Sequence, residues 1–171
     1  MNKLEVFIDY SCPFCKSGYG YLKELLPEFP NAVIELKPVE AHPKVEEPGH
    51  RPWVDLAVQG GLYAKAVGGD ETAYAERLIK LIHTEDRQSV EDIGVLSNCA
   101  ADAGLDATAF REALESGAYE NALAAANDYA YETQKVWAVP TFVCGEKRLD
   151  AAPNVGVTKE RLRGLLQELY N

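Results

Sequence analysis

The chain has 171 residues, of which 47% are hydrophobic and 26% charged, and 27 acidic against 17 basic residues leave a net charge of −10. This composition excludes a disordered tail, a collagen-like fibre and a small disulfide scaffold. The acidity argues against nucleic acid and anionic membranes as partners, since both need a basic surface. The length predicts a single domain over residues 1–171.

The N-terminus predicts a protein without an export signal. Its longest apolar run, Val6-Phe7-Ile8, lies between Glu5 and Asp9, whereas a signal peptide needs about 7–15 apolar residues. We therefore expect a mature sequence from residue 1 and a cytoplasmic location. In a reducing compartment, cysteines are more often catalytic or metal-binding than structural.

The first 38 residues predict a β-α-β unit. Leu4–Asp9 is a short apolar run that predicts a buried strand, and Ala32–Pro38 predicts a second strand parallel to it. The helix between them begins with Cys12 at its N-cap and Pro13 at its first position, where the missing N–H costs nothing.

Helical patterns then dominate between about residues 50 and 136, after a Pro/Gly-rich loop at 39–50. Ser89, with Asp92 three residues later, predicts a helix start, and Gly60-Gly61 weakens the first predicted helix. The predicted helices cover 52–67, 70–83, 89–104, 106–117 and 119–135.

The last 35 residues predict two strands and a helix. Residues 139–144 and 147–149 form a hairpin pattern around Gly145-Glu146, and Thr158 caps a final helix. Because neither end of the chain can bury a core alone, the two ends are predicted to share one sheet. The helical block is then an insertion within an α/β fold.

Cys12 and Cys15 form a C-x-x-C pair at a helix start. The unpaired N–H groups and the dipole at that end favour a thiolate, so the pKa of Cys12 should be lowered. Cys15, three residues on, lies within disulfide reach and can resolve a mixed disulfide formed at Cys12. A redox pair is therefore the leading prediction.

Metal binding and inert thiols are the alternatives for this pair. A closed zinc site needs four ligands, and the chain has no second C-x-x-C. An iron–sulfur cluster shared across a dimer stays open. The remaining potential ligands lack metal-site spacing: Cys99, Cys144, His42, His50 and His83.

Val139-Pro140 is the second chemical signal, because a proline at the start of a strand occupies an edge or an irregular position. On local sequence alone, a trans proline that ends the preceding helix is the alternative.

The order of these elements resembles the thioredoxin fold: β-C-P-F-C-α-β, then the helical insertion, V-P-T-F-V, a hairpin and a helix. The insertion resembles that of the DsbA-like branch of this fold. Segments 103–106 and 110–117 and the position of Asp9 also look like that branch. The resemblance covers essentially the whole chain. It implies a thioredoxin fold (βαβ…ββα) with a large all-helical insertion, and a thiol–disulfide oxidoreductase.

The resemblance also implies roles for individual residues. Cys12 would attack and Cys15 would resolve, without a metal or a resident cofactor. Pro140 would be cis, and the Val139 backbone would pair with an extended substrate. Pro13 and Phe14 would tune the redox potential.

The C-P-F-C sequence departs from the C-P-H-C of oxidising members and is closer to the C-P-Y-C of glutaredoxins. Phe14 brings no charge, so Cys12 should be less acidic and its disulfide less oxidising than in the strongest oxidants. This departure and the predicted absence of a signal peptide both favour an intracellular thiol–disulfide exchanger. The direction of exchange, including action as a reductase, stays open. The partners of the exchanger would be proteins or small molecules carrying thiols or disulfides, with glutathione as a candidate co-substrate.

Two other functions stay open. One is a glutathione-dependent isomerase or transferase of the 2-hydroxychromene-2-carboxylate isomerase or kappa class, although those proteins typically present serine at the position of Cys12. The other is a non-enzymatic thiol switch or cluster-binding module.

Several further side chains have a functional and a structural interpretation. Asp9 is either a proton acceptor beside Cys15 or a hydrogen-bonded strand end. Cys144 is a third redox thiol or a core residue, and Cys99 is predicted to be structural. The aromatic side chains either line an apolar substrate groove or pack in the core: Trp53, Tyr63 and Trp137. His42 and His50 are predicted to be exposed loop residues.

Overall fold

A mixed sheet organises the computed structural model, which describes residues 3–41, 54–86 and 88–170. Within those ranges the sheet has four strands in the order β2-β1-β3-β4. β1 and β2 are parallel, and β3 is antiparallel to both of its neighbours. The strands are β1 (Lys3–Ile8), β2 (Val33–Pro38), β3 (Thr141–Cys144) and β4 (Lys147–Asp150).

Helices connect and cover this sheet. α1 (Pro13–Leu25) joins β1 to β2, and α7 (Lys159–Tyr170) packs beside α1 after the β3–β4 hairpin. Between β2 and β3 lie the helices of the insertion: α2 (Asp55–Ala66), α3 (Glu71–Lys80), α4 (Ile93–Asp102), α5 (Ala107–Glu115) and α6 (Glu120–Asp128). The predicted α/β class, the parallel pair, the shared sheet and the helical insertion are all confirmed.

The predicted helix start at Ser89 is wrong. Asp92 is the N-cap of α4, because its carboxylate accepts hydrogen bonds from the backbone N–H groups of Gly94 and Val95 at 2.6 and 3.1 Å. Ser89 lies in a short 3-10 turn, Gln88–Glu91, and its hydroxyl donates to the Asp86 carbonyl instead. Asp92 therefore begins the helix itself rather than completing a capping box.

Two helices of the insertion end in wider turns. α3 continues into a π-helical turn at Leu81–Glu85, and α6 continues into another at Tyr129–Thr133. The predicted helix over 119–135 is therefore too long at its C-terminus, where Lys135 has a positive φ of 52°. This turn redirects the chain towards β3.

Gly60 and Gly61 bring α2 into close contact with aromatic side chains. A Cβ on Gly60 would lie 2.1 Å from the Tyr74 hydroxyl oxygen, and one on Gly61 would lie 2.2 Å from the Tyr10 hydroxyl oxygen. The glycine pair is therefore a packing requirement of α2.

The largest cluster of buried apolar side chains is continuous between the sheet and the insertion. It includes Leu4 and Phe142 of the sheet, Leu22 and Leu166 of the flanking helices, and Tyr74 of the insertion. Of the helices that the structure describes, none has the length and apolar character needed to cross a membrane.

Candidate active site

Cys12 lies at the point where β1 gives way to α1. It is the N-cap of α1, and Pro13 occupies the first turn as predicted. The Cys12 backbone N–H donates to the Asp9 carbonyl and its own carbonyl accepts from the Lys16 N–H, both at 3.1 Å. Cys12 is half-buried and Cys15 is 1% exposed, and both are free thiols.

The two thiols have opposite pKa shifts. A hydrogen bond from the Cys15 side chain is the main cause that lowers the pKa of Cys12 to about 7. Burial opposes this lowering, whereas the backbone N–H groups of Cys15 and Phe14 contribute to it. Burial raises the pKa of Cys15 well above its ordinary value, and its bond to Cys12 adds to that shift. Near neutral pH, Cys12 is thus partly a thiolate while Cys15 holds its proton.

Val139 and Pro140 lie against this pair. The peptide bond between them is cis, and the Cys12 Sγ lies 3.8 Å from the Val139 carbonyl oxygen. α1 can approach because Gly18 has no side chain: a Cβ there would lie 2.8 Å from the Pro140 Cγ. Residues 127 positions apart are thereby brought into one site.

Pro13 and Phe14 form the exposed rim beside Cys12. Phe14 is 39% exposed and packs against Gly156, where a Cβ would come within 3.0 Å of its ring. Gly156 has a φ of +74°, and its neighbour Val155 is also exposed. An apolar surface therefore borders the Cys12 thiol.

Asp9 is buried at the end of β1, three residues before Cys12. Its carboxylate accepts from the Ser11 N–H at 2.7 Å, from the Ser11 hydroxyl at 2.5 Å and from the Ala41 N–H at 2.8 Å. These bonds agree with the strand-end interpretation, in which Asp9 holds the loop before Cys12 to the chain after β2.

Of the three aromatic side chains with a groove or a core interpretation, Tyr63 agrees with the core interpretation. Tyr63 packs in the core against Phe110 and Tyr119, with ring centroids 5.4 and 5.6 Å apart, whereas Trp137 is 62% exposed. Trp53, His42 and His50 lie outside the described residues.

The remaining potential ligands are dispersed. Cys99 and Cys144 are buried, and burial raises the pKa of each thiol. The His83 Nε2 lies 3.0 Å from the Tyr10 carbonyl oxygen. Over residues 3–41, 54–86 and 88–170, no three His, Cys, Asp or Glu side chains are grouped as a metal site.

Sequence reasoning missed three residues that support the site. Gly18 lies inside α1 without any capping role, which is the one signal that could have indicated close packing at that position. Arg148 and Asp150, two residues apart on one face of β4, bond the segment before β3. Nothing local to β4 indicates that contact.

Comparison with known proteins gives the family. Residues 55–163 match the DSBA-like thioredoxin domain, which is more than half of the chain. The chain therefore belongs to this DsbA-like family of thiol–disulfide oxidoreductases.

A related protein and several solved structures are similar to this chain over nearly its full length. The uncharacterised protein YwbO of Bacillus subtilis is 28% identical, with 93% of this chain and 94% of YwbO covered. A probable DsbA oxidoreductase from Streptomyces coelicolor superposes with a TM-score of 0.82 at 18% identity, covering 98% of this chain and 89% of its own. Chlamydia trachomatis DsbA gives 0.74 at 16% identity, with 98% and 86% covered.

Proposed function

We propose that the protein exchanges disulfides through Cys12 and Cys15, with Cys12 as the nucleophile and Cys15 as the resolving thiol. The placement of the two thiols carries the proposal: Cys12 is half-buried at the N-cap of α1 and Cys15, three residues on, is buried. Their opposite pKa shifts support it, because Cys12 is the more acidic thiol and Cys15 keeps its proton. The family supports the same reaction class.

The reaction takes two steps in the reducing direction. The Cys12 thiolate attacks a substrate disulfide, forming a mixed disulfide and releasing one substrate thiolate. Cys15 then loses its proton and attacks the Cys12 sulfur, which forms the Cys12–Cys15 disulfide and releases the second substrate thiolate. The substrate gains two electrons and the protein loses two; the reverse steps oxidise a dithiol.

Val139 and Pro140 would hold the substrate beside Cys12. The Val139 carbonyl lies next to the Cys12 sulfur, so an extended polypeptide that pairs with the Val139 backbone would bring its own disulfide to that sulfur. Phe14, exposed on the other side of Cys12, would contact an apolar part of the substrate, and Pro13 and Phe14 would tune the potential.

The acidity of Cys12 supports the reducing direction. A Cys12 pKa of about 7 is close to that of thioredoxin, about 7, and far from that of DsbA, about 3.5. A less stabilised thiolate makes the disulfide a weaker oxidant. The proposal therefore includes a reducing role and, because that role requires a compartment in which thiols are kept reduced, a cytoplasmic location.

Equilibration of the protein in a glutathione gradient, with thiol trapping as the readout, tests this proposal. We expect a reversible Cys12–Cys15 disulfide with a potential near that of thioredoxin, about −270 mV, and loss of disulfide exchange in Cys12→Ser. A potential near about −120 mV would make the protein an oxidant. The absence of any reversible disulfide, or full exchange activity in Cys12→Ser, would contradict the proposal.

A further inference from the structure

The segment at 134–140, which carries Val139 and Pro140, belongs to neither a helix nor a strand. Its backbone is instead bonded to a side chain of β4. The Arg148 guanidinium donates to the carbonyls of Gln134 and Lys135, the latter at 3.0 Å. One planar cation therefore holds two successive carbonyl groups at the start of the segment.

The Asp150 carboxylate is bonded to the middle of the segment and to the first residue of β3. The Arg148 Nε donates to the Asp150 carboxylate at 2.8 Å, and the Thr141 hydroxyl lies 2.9 Å from the same carboxylate. The Trp137 indole also donates to it. The Ala151 N–H completes the attachment by donating to the Pro140 carbonyl at 3.1 Å.

This Arg148–Asp150 pair differs from an ordinary surface ion pair. Its side chains are 28% and 24% exposed, and both bond the segment as well as each other. Burial opposes ionisation of Asp150, but bonds from Arg148 and Thr141 outweigh it and hold the pKa of Asp150 below its ordinary value. The Asp150 carboxylate is thus ionised at neutral pH, and charge-assisted bonds are the stronger kind.

The position of the Val139 backbone matters differently for different substrates. An extended polypeptide would have to pair with that backbone, so its affinity depends on where the segment lies. A small aromatic disulfide can reach the half-buried Cys12 sulfur without such pairing. Side-chain bonds that fix the position of the segment would therefore favour polypeptide disulfides over small ones.

We propose that Arg148 and Asp150 are positioning residues that hold the Val139–Pro140 segment in place for polypeptide substrates, and so set the preference of the enzyme for polypeptide over small disulfides. This inference rests on the disulfide-exchange function proposed above. It assigns two residues of β4 to the positioning of the segment that would pair with the substrate.

The test follows single turnovers of the reduced protein, whose Cys12 and Cys15 thiols are the reductant, with two substrates at a range of concentrations. The substrates are insulin and 5,5′-dithiobis(2-nitrobenzoic acid), and the variants are Arg148→Met, Asp150→Asn and the double variant. We expect the KM for insulin to rise about tenfold, a change of about 1.4 kcal/mol in binding. The factor by which kcat/KM falls for the small disulfide should be at least about fivefold smaller than the factor for insulin. The double variant should be little worse than either single variant, since the two residues act as one unit.

Arg163→Met is the matched control. Arg163 pairs with the Glu28 carboxylate at 3.0 Å, beyond the C-terminal end of α1, whereas Pro13 and Phe14 lie at its N-terminal end. The pair joins α7 to the turn after α1. Its loss removes an arginine–carboxylate pair of the same type without touching the 134–140 segment. We expect its KM for insulin to match that of the unsubstituted protein.

Arg148→Lys provides a second variant if Arg148→Met does not fold. It keeps the charge but loses the planar fork that reaches both carbonyls, so its KM for insulin should rise while the small-disulfide rate falls less. Equal losses with both substrates, or no change with insulin, would overturn the inference. An unsubstituted protein inert towards both disulfides would instead refute the proposed function itself.

Discussion

At the scale of single residues, the reactivity of Cys12 depends chiefly on one donor, the Cys15 thiol. In Cys15→Ala that donor is lost, so the pKa of Cys12 should rise from about 7 towards its ordinary value. A rise of about one unit lowers the thiolate fraction at pH 7 about fivefold. The pH dependence of alkylation by iodoacetamide measures this directly, with its midpoint moving to higher pH.

Cys15→Ser is the matched control, because its hydroxyl can still donate to the Cys12 thiolate. We expect its alkylation midpoint to stay closer to that of the unsubstituted protein, although it also cannot resolve a mixed disulfide. An alanine variant whose midpoint equals that of the unsubstituted protein would show that the Cys15 thiol does not set the acidity of Cys12.

At the scale of elements, the approach of α1 to the segment before β3 depends on Gly18. In Gly18→Ala the new Cβ would lie 2.8 Å from the Pro140 Cγ and 3.1 Å from the Val157 Cγ2. Relieving this overlap should lower the free energy of unfolding by about 1–3 kcal/mol. Urea unfolding monitored by circular dichroism gives the change.

Gly20→Ala, two residues further along α1, separates packing from helix propensity. A Cβ at Gly20 meets nothing within 4 Å, so this substitution should raise the free energy of unfolding by about 0.5–1 kcal/mol. If Gly18→Ala were as stable as Gly20→Ala, α1 would not need the close approach to Pro140 that the structure shows.

At the scale of the whole molecule, the insertion packs onto the sheet region through α2. In Gly61→Ala the new Cβ would lie 2.2 Å from the hydroxyl oxygen of Tyr10, a buried residue just before the Cys12 loop. We expect a loss of about 1–3 kcal/mol in the free energy of unfolding, measured by urea unfolding.

Tyr10→Phe should rescue much of that loss, because it removes the oxygen that the new Cβ meets. The next atoms, the Tyr10 Cζ and the Pro38 Cγ, would be 3.3 and 3.4 Å away. The two substitutions should therefore be coupled, with the double variant more stable than Gly61→Ala alone. Additive losses would mean that this contact does not limit the packing of α2.

Much of the fold was predictable because its signals are local. The first strand, the helix that begins after Cys12 and the β3–β4 hairpin depend on alternation, capping and turn residues close together in the chain. The same locality explains the error at Ser89. Both Ser89 and Asp92 are suitable caps by residue type, and the structure places the first helical N–H groups within reach of Asp92.

The α/β class, the order of the elements and the placement of Cys12 and Cys15 at a helix start follow from the amino-acid sequence, since each depends on neighbouring residues. The tertiary structure decided how deeply Cys15 is buried, and hence its pKa. It also decided that Val139 lies against Cys12 and that Arg148 holds the segment before β3. These features are contacts between residues distant in sequence, and close packing of the folded chain creates them.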